Sequence, residues 1–137
     1  MIEAAILAAS VCMADNAYYE ARGEPFIGQI AVNQVALRRA NLDPEHVCAE
    51  IYRSGQFTWT SDKTRRKPHG PEWVRARQAA RAARLWAEHG VGQDYTKGAT
   101  HYHATHVRPS WTRCATLTVQ IARHKYYKDV KPCGKGK

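Results

Sequence analysis

The chain has 137 residues, 44% hydrophobic and 24% charged, with 21 Lys and Arg against 12 Asp and Glu. That length suits one domain burying roughly two thirds of its unfolded surface, and the composition excludes a fibrous or disordered chain. The formal charge of +9 favours contact with a polyanion, an anionic cell-envelope surface among them, but a solvated basic face is the plain alternative.

Ile2, Ile6, Ala9, Met13 and Ala17 fall near helical spacing and predict a first helix over 2–20, ended by Pro25. Glu3 and the lack of a basic start argue against a secretion signal, and no stretch is long enough to span a bilayer. The protein is therefore expected to be made in a reducing cytoplasm, with Cys12 as a core residue. Cys12, Cys48, Cys114 and Cys133 contain no CxxC pair, and sequence cannot choose among their three pairings.

Ile27, Ile30, Ala31, Val35 and Leu37 predict an amphipathic helix over 26–40, with Arg38 and Arg39 where the dipole favours cations. Asp43 and Pro44 cap and open a third helix running to about Tyr52. After Ser54-Gly55, residues 56–60 are expected to form a short strand, and 61–70 an exposed basic loop. Pro71 begins an Ala-rich helix stopped by Gly90, with Trp73, Ala76, Ala80, Ala83 and Trp86 or Ala87 on one face. Residues 100–105 alternate as a strand, and 116–121 as its partner. Helices first and a small antiparallel sheet later make the class α+β. One domain over 1–130 is expected, monomeric, followed by a disordered basic tail over 131–137.

The stretch Asn16-Ala17-Tyr18-Tyr19-Glu20-Ala21-Arg22-Gly23-Glu24-Pro25 places two acids at a helix C-terminus, where the dipole opposes them. An ion pair with Arg22 or a capping contact would explain them structurally. Alternatively, Glu20 packed against tyrosine rings is desolvated and stays protonated for general-acid work. On a continuous helix the two carboxylates would share one face, whereas a glycosidase pair flanks the bond from opposite sides. One acid suffices if a substrate hydroxyl is the nucleophile.

Thr100-His101-Tyr102-His103-Ala104 admits two readings. His101 and His103, with His106, His124 or Cys114, could hold zinc; equally, a strand of His, Tyr and Thr can hydrogen-bond sugar hydroxyls. The latter is favoured, so neither metal nor cofactor is expected. Gln56, Phe57 and Trp59 offer a similar amide and aromatic surface. No Ser/His/Asp signature, P-loop or dinucleotide fingerprint appears, and charge alone does not argue for stable nucleic-acid binding.

These residues resemble a known family, the SleB-type (also called CwlJ-type) cell wall hydrolases. The likeness runs through Asn16-x-Tyr18-x-Glu20-Ala21-Arg22-Gly23-Glu24-Pro25, Gly28-Gln29-Ile30-Ala31-Val32, Val47-Cys48, Tyr52, and Gln56-Phe57-x-Trp59-Thr60. It continues through Gly98-Ala99-Thr100-His101-Tyr102-His103-Ala104, Val107-x-Pro109-x-Trp111 and Ile121-x-x-His124-x-x-Tyr127.

The resemblance implies a lysozyme-related α+β fold that cleaves peptidoglycan glycan strands by lytic transglycosylation, leaving 1,6-anhydromuramoyl ends. It implies Glu20 as the catalytic acid, with Tyr18, Arg22, Glu24, Gln56, Trp59, Thr100, His101, Tyr102 and His103 on the substrate side. Without a leader or a separate binding domain, the chain looks like a phage endolysin. Such a protein would wait in the host bacterial cytoplasm and act on the wall after release.

Overall fold

In the computed structural model, which describes residues 2–53 and 57–133, the first apolar run forms α1 (Ile2–Ala21). Ala9, Cys12, Met13, Ala17 and Tyr18 are buried along it, while Leu7 and Val11 stay exposed. The second helix, α2 (Phe26–Arg39), departs from the amphipathic expectation, because every residue from Gly28 to Leu37 is buried. It packs among α1, α3 (Pro44–Ile51), α4 (Gly70–His89) and the sheet. Burying its amides is tolerable because the NH2 group of each donates to a backbone carbonyl, Gln29 Nε2 to Glu24 O at 3.2 Å among them, although Gln29 Oε1 has no partner among the described residues. Asn33 Nδ2 donates to Met13 O at 2.9 Å, Asn16 Nδ2 to Asn33 Oδ1 at 3.2 Å, and Gln34 Nε2 to Gln93 O at 2.9 Å.

The other helix ends follow their signals. The Asp43 side chain accepts from Glu45 N at 2.8 Å with Pro44 in the first turn, a cap worth about 1 kcal/mol. Gly90 closes α4 in the left-handed region (φ 66°), and Gly90 N donates to Trp86 O. Ala76, Ala79, Ala80 and Ala83 are fully buried, small enough to let α4 approach α1 and α2 closely.

Two strand expectations need correction. The Phe57–Thr60 part of the expected strand instead runs into a 3-10 turn, Thr58–Ser61, and Gln56 lies outside the described residues. Tertiary contacts override β-propensity here: the Trp59 ring stacks on Tyr19 at 4.9 Å, and its N–H points at Asn16 Oδ1, 3.4 Å away. The strands β1 (His101–Ala104) and β2 (Thr116–Ile121) are not partners either. Both pair antiparallel with β3 (His124–Lys128), giving the order β1-β3-β2. The inner face of this sheet closes over α2 through Ala31, Val35, Ala99, Ile121 and Tyr126.

Cys12 is not a free core thiol. It is bonded to Cys48, joining α1 to α3, and Cys114 is bonded to Cys133. The second bond, with Lys131 N donating to Cys114 O at 3.2 Å, ties residues 131–133 back onto the domain; residues 134–137 lie outside the description. Among the described residues no helix is long and apolar enough to cross a membrane.

Candidate active site

The last turn of α1 carries Glu20 to the junction with the sheet. There the Tyr102 hydroxyl, from β1, donates to Glu20 Oε1 at 2.6 Å. Burial pushes the Glu20 carboxyl above its ordinary value of 4.5, and the Tyr102 hydrogen bond pulls it back only in part. The phenol of Tyr102 is raised well above its own range, by burial first and by the Glu20 charge second, so it remains a donor. Tyr126 packs 5.4 Å from Tyr102, and its buried hydroxyl has no partner among the described residues. Burial, followed by the charges of Glu24 and Glu20, raises this phenol as well.

Glu24 has a different fate. Its carboxylate accepts from Arg123 N at 2.9 Å and Arg123 Nε at 3.2 Å, at the turn between β2 and β3. His124 Nδ1 also lies 3.1 Å from Glu24 Oε1, an ion-pair distance without hydrogen-bond geometry. Burial lowers the His124 pKa, and Glu24 counters this in part. Glu24 is therefore a clasp between the helical layer and the hairpin, and the partner expected nearby, Arg22, instead lies over the Tyr18 ring at 4.6 Å.

An open cleft of about 360 Å³ passes over Glu20, with Tyr19, Arg22, Glu24, His106, Arg123 and His124 in its walls. A larger hollow of about 480 Å³ between Arg39 and Arg53 contains Glu50, but both arginines already hold that carboxylate. At the Glu20 cleft an acid raised by burial meets open space; Asp15, also raised by burial, lines a neighbouring cleft but there faces the opposing charge of Arg65.

The structure brings Glu20, Arg22, Glu24 and Tyr102 together. Trp59 sits one layer behind them, buried and stacked beneath Tyr19. Tyr18 is a core residue, 1% exposed and packed edge-on against Trp73. Thr100, His101 and His103 are not joined to Glu20, because alternation along β1 turns the two histidines to the opposite face from Tyr102. There Trp111 lies 5.2 Å from His101, 5.8 Å from His103 and 5.2 Å from Tyr127. Arg39 Nη1 contacts His101 Nε2 at 2.9 Å, and because arginine only donates, His101 carries its proton on Nδ1, toward Thr100 Oγ1 at 2.8 Å. His103 is held likewise between Ala104 O and the Tyr127 hydroxyl. With these nitrogens engaged and Cys114 in a disulfide, the zinc arrangement considered from sequence has no assembled ligand set among the described residues.

Arg123 and Tyr126 escaped the sequence reading; Tyr19 entered it only within the stretch around Glu20, His106 only as a zinc candidate, and His124 as a zinc candidate and a member of the resemblance motif. The motif Ile121-x-x-His124-x-x-Tyr127 was the available signal for that strand. Nothing in the sequence connects Arg123 with Glu24, 99 residues away.

Comparison with known proteins identifies the family. The family described as Cell Wall Hydrolase matches residues 23–127, a span that begins just after Glu20. A spore cortex-lytic enzyme of Halalkalibacterium halodurans is 39% identical over 92 residues, covering 66% of this chain and 25% of that protein. A spore cortex-lytic enzyme of Oceanobacillus iheyensis is 36% identical over 121 residues, covering 85% of this chain and 40% of that protein. The chain thus spans a quarter to two fifths of the length of these relatives. No solved structure matches significantly. With well over half of its residues matched, the chain belongs to the cell wall hydrolase family, of the SleB type.

Proposed function

We propose that this domain cleaves peptidoglycan glycan strands as a lytic transglycosylase, with Glu20 as general acid. The observation that carries the proposal is a single carboxyl at a cleft, held toward its protonated form by burial, with one oxygen fixed by Tyr102. Its other oxygen has no partner among the described residues and is left for substrate. Glu20 gives its proton to the oxygen leaving C1 of muramic acid; the C6 hydroxyl of the same sugar attacks C1 and returns its proton to Glu20. The C1–O4 bond breaks, the C1–O6 bond forms, and the acid is restored without activating water. The other nearby carboxylate, Glu24, is committed to Arg123, which supports a one-acid mechanism over a pair.

The site of action in this proposal is the envelope, after synthesis in the cytoplasm. Two disulfides suit an oxidising compartment, and the excess of cations suits an anionic wall. Purified Glu20→Gln protein should lose about 10²- to 10⁴-fold in turnover on sacculi while keeping its melting temperature or raising it. Product mass spectrometry should find 1,6-anhydro ends. Reducing ends would replace transglycosylation with hydrolysis, and undiminished turnover in Glu20→Gln would reject the acid.

A further inference from the structure

Tyr19 walls two clefts. One is the Glu20 cleft; the other, about 420 Å³, is bounded by Asp15, Asp62, Lys63, Arg65 and Lys67. Asp15 and Tyr19 lie one turn apart on α1, so the second cleft continues from the first along the same helix.

The basic loop that forms this second cleft is fastened rather than waving. The Tyr19 hydroxyl donates to Arg66 O, and Arg65 Nη1 donates to Trp59 O at 3.0 Å. The Arg65 guanidinium also stands 5.5 Å from the Tyr19 ring and 5.3 Å from the Trp59 ring. Cations are thereby presented at a fixed place beside the candidate acid.

The two carboxylates there offset these cations only in part. Asp62 accepts from Thr64 N at 2.9 Å and Thr64 Oγ1 at 2.6 Å, closing its own turn. Asp15 is half-buried, and burial raises its pKa against the Tyr52 hydrogen bond and the Arg65 charge. Lys63 and Lys67 meet no carboxylate among the described residues, and three cations face two acids.

A glycan strand laid over Glu20 would leave that cleft past Tyr19. In peptidoglycan every muramic acid carries a lactyl group, and the peptide stem on it ends in carboxylates. We propose that Lys63, Arg65 and Lys67 receive a stem-peptide carboxylate of the strand being cut, which makes this domain selective for stem-bearing glycan. The proposal rests on the glycan-cleaving function above. A charged side group held at a fixed distance from the scissile bond would also set the register in which sugars pass the acid.

The test measures binding of soluble glycan strands to Glu20→Gln protein, with stems intact or removed by an amidase. Stem-bearing strands should bind about tenfold more tightly, and Lys63→Gln with Lys67→Gln should bring that ratio close to one. Because both lysines are exposed, the melting temperature should not move; a charge-reversing Lys63→Glu/Lys67→Glu pair should push the ratio below one. Equal affinity for both strands, or a ratio that survives the double substitution, overturns the proposal. So does a soluble poly(glycerol phosphate) that binds the cleft more tightly than stem-bearing strands and loses that binding in the double variant, since the site would then serve a phosphodiester polymer. A Glu20→Gln enzyme that still cuts walls would remove the general acid while leaving this binding ratio as independent support.

Discussion

The two faces of β1 use similar residues to opposite ends. On one face, Tyr102 gives its hydroxyl to Glu20 and leaves a carboxyl oxygen for an open cleft. On the other, His101 and His103 have both ring nitrogens engaged, by Arg39 and Thr100 and by Tyr127 and Ala104 O, with Trp111 packed beside them. Polar groups that satisfy one another rigidify a fold; a site able to act keeps hydrogen-bonding capacity for a substrate. Composition cannot separate the two faces, but strand parity can.

The sharpest way to break this contrast is a pair of substitutions. Glu20→Gln should remove activity by the factor stated above, whereas His103→Ala should cost about 1–3 kcal/mol of stability in urea unfolding, with turnover per folded molecule retained. A His103→Ala protein that stays folded but inactive would erase the distinction.

Each face also has a staple. Cys12–Cys48 fastens the helix that carries Glu20 and closes a separation of 36 residues, while Cys114–Cys133 closes 19 beside Trp111. Loop entropy assigns each about 3–4 kcal/mol, and calorimetry with and without reductant checks the sum. Cys12→Ala/Cys48→Ala should depress activity at lower temperatures than Cys114→Ala/Cys133→Ala does, because only the first pair holds α1. Equal thermal loss of activity would show that both staples act through global stability alone.

Smaller effects concern the acid itself. Tyr102→Phe removes the hydrogen bond that lowers the Glu20 pKa, so the Glu20 carboxyl should titrate higher still and the alkaline limb of the pH–rate profile should move upward. The accompanying stability loss should be about 0.5–1.5 kcal/mol. An unmoved limb would mean that another group governs it.

Last comes a linkage effect. A carboxyl raised above 4.5 by folding binds more protons folded than unfolded between the two values. Its contribution to stability is most favourable below 4.5, declines as pH rises through that window and is level above it. The melting-temperature advantage of Glu20→Gln over wild type should therefore be larger at about pH 7 than at about pH 4. A constant difference would place the raised pKa elsewhere.

Much of the helical layer was legible in the sequence because its signals are local. Asp43 and Pro44 mark a helix start, Gly90 a stop, and the alanines of α4 a close-packed face. β3 was missed, since His-Lys-Tyr-Tyr-Lys has no clean alternation and is ordered by pairing on both sides. Residues 57–60 misled because Trp59 answers to Tyr19 and Asn16, which are distant in sequence. Glu20 stood out as an acid in an unfavourable place, whereas Tyr126 offered no such clue. The same alternation that revealed β1 also separates Tyr102 from His101 and His103, a distinction the motif as a whole obscures.

The link from Glu24 to the Arg123 turn has a consequence for how the domain should fail on heating. Ala122, beside it, holds a positive φ of 48°, a conformation that L-residues leave readily, and the Glu24 carboxylate is the charged side chain that ties the hairpin's tip to the helical layer, beside the backbone bond from Thr105 N to Arg123 O. Because the hairpin includes one wall of the cleft and β3 supports Tyr102, local release of the tip would dismantle the site while the four-helix layer persisted. Catalysis should then vanish a few degrees before helical ellipticity does, with the domain inactivating from its sheet edge inward.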